Sequence, residues 1–347
     1  MGEVQQDMKK HMRFLSTDGA TKIHAILWTS ETVKPKGIVQ LIHGMVEFID
    51  RYDDFAKFLT EQGYIVVGHD HLGHGESVTD PERLGYFAEG DPARVLLQDI
   101  HRLRIYVKNQ FPNLPYFMLG HSMGSYLLRR YLSTQGEGLS GAIIMGTGQE
   151  TDAAVTAGLV MIRSLAKLHG WEYRDEKLKS LLYNANYKKY DTTGADLENS
   201  WLTKRTDIVK AYYENPLNSF CFTLNGYEAL LSTVLFCGQK RNIQAIPKDL
   251  PLFLVSGEDD PVGALGKAVK KVYEMYVKAG ISDVECKLYP NDRHEILNET
   301  DNAVVYADIA NWINSHLPEA EPTDPSLEIG ETEVLTTAEE TEVLQSE

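Results

Sequence analysis

Gly120-His121-Ser122-Met123-Gly124 lies between the apolar run Tyr116–Leu119 and the amphipathic stretch Tyr126–Leu132, and its reading decides the fold. The run has the length of a strand and the stretch the period of a helix. A GxSxG sequence at such a junction makes a sharp strand-to-helix turn. The serine sits at the apex with its hydroxyl exposed, in backbone geometry that most residues avoid. The two glycines have no Cβ, so strand and helix can approach closely on either side. Ser122 is the candidate nucleophile.

The surrounding chain repeats this alternation of strand and helix. Upstream, Arg13–Ser16, Lys22–Trp28, Ile38–Ile42 and Tyr64–Val67 read as strands. Tyr52, Phe55, Phe58 and Leu59 recur at helical spacing, with Gly63 placed to end that helix. Asp91-Pro92 is an N-cap followed by a first-turn proline, opening a helix that buries Leu96, Ile100, Leu103 and Val107. Downstream, Ala142–Met145 is a strand, and a gap follows. Thr147 to Pro247 shows helical patterning and no convincing central strand. Strands resume at Leu252–Val255 and Val284–Leu288, and the last helix carries Val304, Ile309 and Trp312. The pattern predicts a mostly parallel central sheet flanked by helices. Residues 1–146 and 247–317 form the core, because neither segment completes the sheet alone, and 147–246 is a helical cap inserted before the last strands. A second independent domain is the alternative.

Residues 318–347 are acidic, poor in aromatics and self-similar, with ETEVL at both Glu331–Leu335 and Glu340–Leu344. Such a segment buries too little apolar surface to offset its ordering entropy, so a disordered tail is expected. It holds ten acids of the chain, whose net charge is −16, and the body is only mildly acidic. That balance argues against nucleic acid as a partner, since phosphate binding needs clustered cations. No run approaches the roughly 18 apolar residues of a membrane span. The start lacks an apolar signal segment, and Gln6 stands where a myristoylation pattern requires Ser or Thr. A cytoplasmic protein is the expectation. Cys221, Cys237 and Cys286 have no metal-ligand spacing and read as packed free thiols.

A serine hydroxyl is a poor nucleophile at neutral pH and needs a base within hydrogen-bond reach. In folds with this turn, the acid and then the histidine follow the serine, each on a loop after a strand. Only His294 and His316 lie beyond the resumed sheet, and His316 ends the last helix, which leaves His294 as the base. Ser256-Gly257-Glu258-Asp259-Asp260-Pro261 supplies the acid. Asp260 fits best because Pro261 fixes the turn behind it, with Asp259 as the alternative. Developing negative charge on a carbonyl oxygen calls for main-chain donors. Met123 N–H, next to the serine, is one, and Met45 N–H, in the loop after Ile38–Ile42, is the other.

Together His43-Gly44-Met45-Val46-Glu47 with Arg51-Tyr52, Asp70-His71-Leu72-Gly73-His74-Gly75-Glu76-Ser77, the GxSxG turn, Gly257…Asp260-Pro261 and Arg293-His294-Glu295 resemble the monoacylglycerol lipase and lysophospholipase family of α/β-hydrolases, often labelled serine aminopeptidase. The likeness runs over about Met12–Leu317 and includes Trp201–Leu231, which resembles the family's lid. Val46 departs from it, since family members often carry glycine there. The resemblance implies hydrolysis of a carboxylic ester, often of a single-chain lipid such as a monoacylglycerol or lysophospholipid, without cofactor. A small-ester esterase or thioesterase, or a peptidase acting on N-terminal residues, is the alternative within the class. A silent binding protein on this fold would lack a triad member, and none is missing.

His69-Asp70-His71-Leu72-Gly73-His74 invites a metal reading, but no distant ligand set answers it, and a hydrogen-bonded loop bordering the site is preferred. Ala153–Leu168 is apolar over most of its circumference. As part of the cap it would offer an apolar wall to an acyl chain, with Leu159 the candidate contact. Plain packing within the cap is preferred for the helix, and transient contact with a membrane surface is the alternative. Tyr183, Tyr187, Tyr190, Tyr212 and Tyr213 lie elsewhere in the 147–246 cap, as lid packing or as substrate contacts.

Overall fold

The computed structural model of the chain describes residues 7–178 and 185–318. Eight strands, β1 (Asp7–Leu15), β2 (Lys22–Ser30), β3 (Gly37–Ile42), β4 (Tyr64–His69), β5 (Tyr116–His121), β6 (Gly141–Met145), β7 (Leu252–Gly257) and β8 (Val284–Tyr289), form one sheet in the order β1-β2-β4-β3-β5-β6-β7-β8. β1 and β2 are antiparallel to each other, and β2 is antiparallel to β4. From β4 to β8 every pairing is parallel. The strands foreseen from the sequence are present, each one to five residues longer; β1 begins six residues before the expected Arg13 and ends at Leu15, one short of the expected Ser16.

Successive side chains of a strand point to opposite faces, and β5 feeds both cores in turn. Tyr116 and Met118 join the core under α2 (Pro92–Gln110), α3 (Met123–Gln135) and α8 (Lys267–Lys278), while Phe117 and Leu119 join the one under α1 (Asp53–Glu61) and α9 (Asn302–Ser315). β3, β5, β6 and β7 are buried along their whole lengths, as central parallel strands covered on both faces must be. Asp91 caps α2 by accepting from Arg94 N–H, with Pro92 in the first turn. On α9 the inward position is Val305, and Val304 is 52% exposed, one residue away from the face read from the sequence.

Between β6 and β7 the described chain is mainly helical: α4 (Asp152–His169), α5 (Thr206–Glu214), α6 (Leu224–Gly238) and α7 (Lys240–Gln244). It adds no strand to the sheet. Tyr183 and residues 319–347 of the acidic segment lie outside the described residues. All three cysteines are free thiols.

One fold contact was not legible beforehand. Asp99, on α2, is 1% exposed and accepts from Ser16 Oγ (2.6 Å), Thr17 N (2.7 Å) and Thr17 Oγ1 (2.9 Å), tying the β1–β2 turn to the helix. Burial pushes its carboxyl up to about 6 despite those hydrogen bonds. An acid whose folded pKa exceeds its unfolded value of about 3.9 stabilises fully below that value and loses the contribution as pH rises through the folded one. Asp99→Asn is expected to flatten the fall of melting temperature between about pH 4 and 7. A wild-type slope in the variant would assign the titration to another group.

Candidate active site

β5 ends at His121 and α3 begins at Met123, leaving Ser122 alone at the turn with φ 52° and ψ −120°. A residue held there costs on the order of 1–3 kcal/mol. The surroundings hold it: Ser122 N donates to Met145 O (3.0 Å), and Ser122 O accepts from Ser125 N (2.9 Å) and Ser125 Oγ (2.6 Å). A Cβ on Gly120 would stand 2.4 Å from Gly124 O, and one on Gly124 only 2.0 Å from Ile42 O. The spacing of the motif is thus a packing requirement.

The loops after β7 and β8 bring the acid and the imidazole together. Asp260 is fully buried, and His294 Nδ1 donates to its Oδ2 at 3.0 Å. Ser256 Oγ (3.1 Å) and Val262 N (2.8 Å) also donate to this carboxylate. Burial alone would raise the Asp260 carboxyl, but the His294 charge and these donors outweigh it and hold it below the usual carboxylate range. Asp259, the sequence alternative, turns outward to Lys189 Nζ at 3.2 Å. With Nδ1–H directed at Asp260, the His294 Nε2 lone pair is the free basic site. Ser122 and His294 border one cavity of about 460 Å³. The Ser122 hydroxyl makes no hydrogen bond among the described residues, and such contacts often tighten only with substrate bound.

The loop after β3 passes against the serine. A Cβ on Gly44 would fall 2.9 Å from Ser122 Cβ, so only glycine allows this approach. His43 Nδ1 donates to Gly44 O at 2.8 Å. Carbonyl and N–H of one trans peptide point in opposite directions, so Met45 N–H is directed away from His43, and Met45 borders the cavity. Met123 occupies the first position of α3, where a helix N–H has no intrahelical acceptor. Val46 takes φ 58°, the left-handed region that glycine enters freely and a β-branched residue does not. This gives the departure from the family pattern a physical meaning.

Behind these three loops lies a charged network that sequence reasoning quoted in motifs without assigning roles. Arg51 donates to Glu295 through both terminal nitrogens (2.8 and 2.7 Å) and to Glu47 Oε2 (3.0 Å). Glu47 Oε1 accepts from Gly44 N, from Tyr52 OH (3.0 Å) and from His121 Nδ1 (3.0 Å). His121 Nε2 donates to His294 O at 3.2 Å. Burial opposes a charge on His121, but adjacent Glu47 raises it above the ordinary imidazole value, and Glu47 is held far below the carboxylate range. The network ties the Gly44 loop, the Ser122 turn and the His294 loop into one unit. Trp201, from the chain between β6 and β7, lies over the His294 ring at 5.0 Å.

The histidine run after β4 meets its own backbone and neighbours. His74 Nδ1 donates to Leu72 O (3.0 Å), and Asp70 pairs with His24 (2.8 Å) and accepts from Ile49 N (2.7 Å). Groupings close enough for a metal occur elsewhere, at His11, His24 and Glu76 and at Asp283, Glu285 and His316. Leu159 requires correction: it does not border the Ser122 cavity. It is buried with Val155, Tyr126, Val234 and Cys237, because the inner stripe of α4 is consumed in packing on α6 and α3. The apolar wall of the cavity is Phe220, Phe222, Trp201 and Leu202. Tyr212 and Tyr213 also border it, while Tyr187 packs on Trp201 and Tyr190 OH donates to Asp259 O.

Residues 33–301 match the family model described as serine aminopeptidase, S33. The monoacylglycerol lipase of Mycolicibacterium smegmatis is 28% identical over 302 residues, 86% of this chain and 95% of that protein. The monoglyceride lipase of Rattus norvegicus is 26% identical over 82% of this chain and 84% of its own length. Among solved structures, a thermostable carboxyl esterase from Bacillus coagulans, in complex with glycerol, superposes with a TM-score of 0.81 at 30% identity. That superposition covers 89% of this chain and 99% of the esterase.

Proposed function

The chain belongs to the serine aminopeptidase S33 family of α/β-hydrolases and is a serine ester hydrolase, and from that membership we propose that it cleaves single-chain lipid esters, monoacylglycerols foremost, with Ser122, His294 and Asp260 as its triad. Ser122 Oγ attacks the ester carbonyl while His294 Nε2 takes its proton. Asp260 holds the imidazole tautomer and stabilises the imidazolium. Met45 and Met123 N–H groups receive the oxyanion, the alcohol leaves with the proton from His294, and water releases the acyl-enzyme by the same route reversed. The segment over the cavity, residues 147–246, acts as the cap, and the core is 1–146 with 247–317.

The observation that carries the substrate class is the cavity lining. Phe220, Phe222 and Trp201 offer an apolar surface for an acyl chain, and among the described lining residues there is no Lys or Arg to meet a phosphate. Glu176, Thr192 and Thr193 also border it, which suits a neutral polyol better than an anionic head group. On the outer side of α4, Val160 (58%), Met161 (38%) and Leu168 (77%) are exposed, the surface we assign to transient contact with lipid.

Nitrophenyl esters of graded chain length, alongside monoacylglycerols, test the reading. Each methylene buried contributes about 0.8 kcal/mol, so four added carbons are expected to raise kcat/KM by up to ~200-fold before the cavity is filled. Leu168→Glu is expected to weaken sedimentation with lipid vesicles while sparing turnover of a dissolved short ester. A flat chain-length profile would overturn the lipid assignment and favour a small-ester esterase.

A further inference from the structure

Val46 N donates to His74 Nε2 at 3.2 Å, and Val46 O accepts from Asn218 Nδ2 at 2.9 Å. Both main-chain groups of the one strained residue in the Gly44 loop are therefore held by side chains from outside it. The two holders come from different parts of the molecule. His74 stands in the turn after β4, and Asn218 in the short turn Pro216–Asn218 of the segment between β6 and β7.

His74 is suited to accept. Its Nδ1–H is committed to Leu72 O, leaving Nε2 as a lone pair. Burial, then the neighbouring His43, lowers its pKa to about 3, so it stays neutral through the working range. Its ring stacks on Phe87 (5.5 Å) and meets the edges of Phe220 and Phe222, each at 5.4 Å. Asn218, Phe220 and Phe222 all border the cavity that Ser122 opens into. One short stretch of the cap thus touches the acyl space, packs on the group holding Val46 N–H and itself holds the Val46 carbonyl.

We propose that Asn218 is a positioning residue for the oxyanion loop, keeping Val46 in its left-handed conformation and making the donor geometry at Met45 depend on the cap being seated. In chains with glycine at this position the backbone enters φ near +60° without penalty. Here the valine shifts that duty to an outside clamp. An open cap withdraws Asn218 and relaxes the loop, so oxyanion stabilisation is complete only when the cap encloses an acyl chain. The inference rests on the triad reading above, with Met45 as an oxyanion donor.

A double-mutant cycle with nitrophenyl octanoate tests it. Asn218→Ala is expected to lower kcat about tenfold or more with KM changed less than about threefold, because oxyanion contacts act in the transition state. Adding Val46→Gly is expected to recover at least about threefold of that kcat, since glycine holds the loop conformation unaided. Asn218→Asp keeps the shape but cannot donate, and is expected to behave as Asn218→Ala does, which covers the case of a poorly folded alanine variant. Equal losses with and without Val46→Gly, or a loss confined to KM, would overturn the proposal. Ser122→Ala run in parallel separates the two readings. Turnover surviving in that variant removes the triad and this inference with it, whereas an inactive Ser122→Ala beside an additive cycle removes this inference alone.

Discussion

Ser122→Ala is expected to lower ester turnover by roughly 10⁴-fold or more, leaving only the catalysis that binding and oxyanion donors supply without a nucleophile. The substitution removes one oxygen. That hydroxyl makes no hydrogen bond among the described residues, and the contacts holding the turn run through the Ser122 main chain, to Met145 O and from Ser125. Alanine at φ 52° is strained much as serine is, so the melting temperature should move little. Labelling by a fluorophosphonate probe should disappear in step with activity. Undiminished labelling would show that another residue is the nucleophile.

Asp260→Asn is expected to cost on the order of 10³–10⁴ in kcat. The carboxamide can still accept from Val262 N, which keeps the loop in place, but its NH2 turned to His294 favours the tautomer with the proton on Nε2. That tautomer cannot accept the Ser122 proton. Asp259→Asn should cost less than about tenfold, because its carboxylate faces Lys189 and solvent. The pair therefore reads out one peptide step along the chain. A larger loss at Asp259 would move the acid to that position and would falsify the triad as drawn.

The parts of the site written locally were legible. Ser122 is announced by glycines whose Cβ atoms would collide with Gly124 O and Ile42 O. Asp260 and His294 each follow a strand that the apolar runs disclose. Leu159 shows where this legibility stops. An apolar helix in a cap offers several faces, and its sequence does not say which one α6 covers or which one meets the cavity. The charged network is the converse case. Glu47, Arg51, His121 and Glu295 were all visible in motifs, yet nothing in the residues announces that they meet.

The sequence by itself determined the strand–helix alternation, the sharp turn at Ser122 and the short menu of acids and bases, because period, glycine spacing and position after a strand are local properties of the chain. The tertiary structure decided that Asp260 and not its neighbour reaches His294, that Arg51 joins Glu47 to Glu295, and that Val46 is held by His74 and Asn218. Asn218 lies 172 residues from Val46 along the chain, and Arg51 lies 244 from Glu295. Hydrogen bonds act over about 3 Å, so partners that far apart in sequence are chosen only when the sheet and cap have packed.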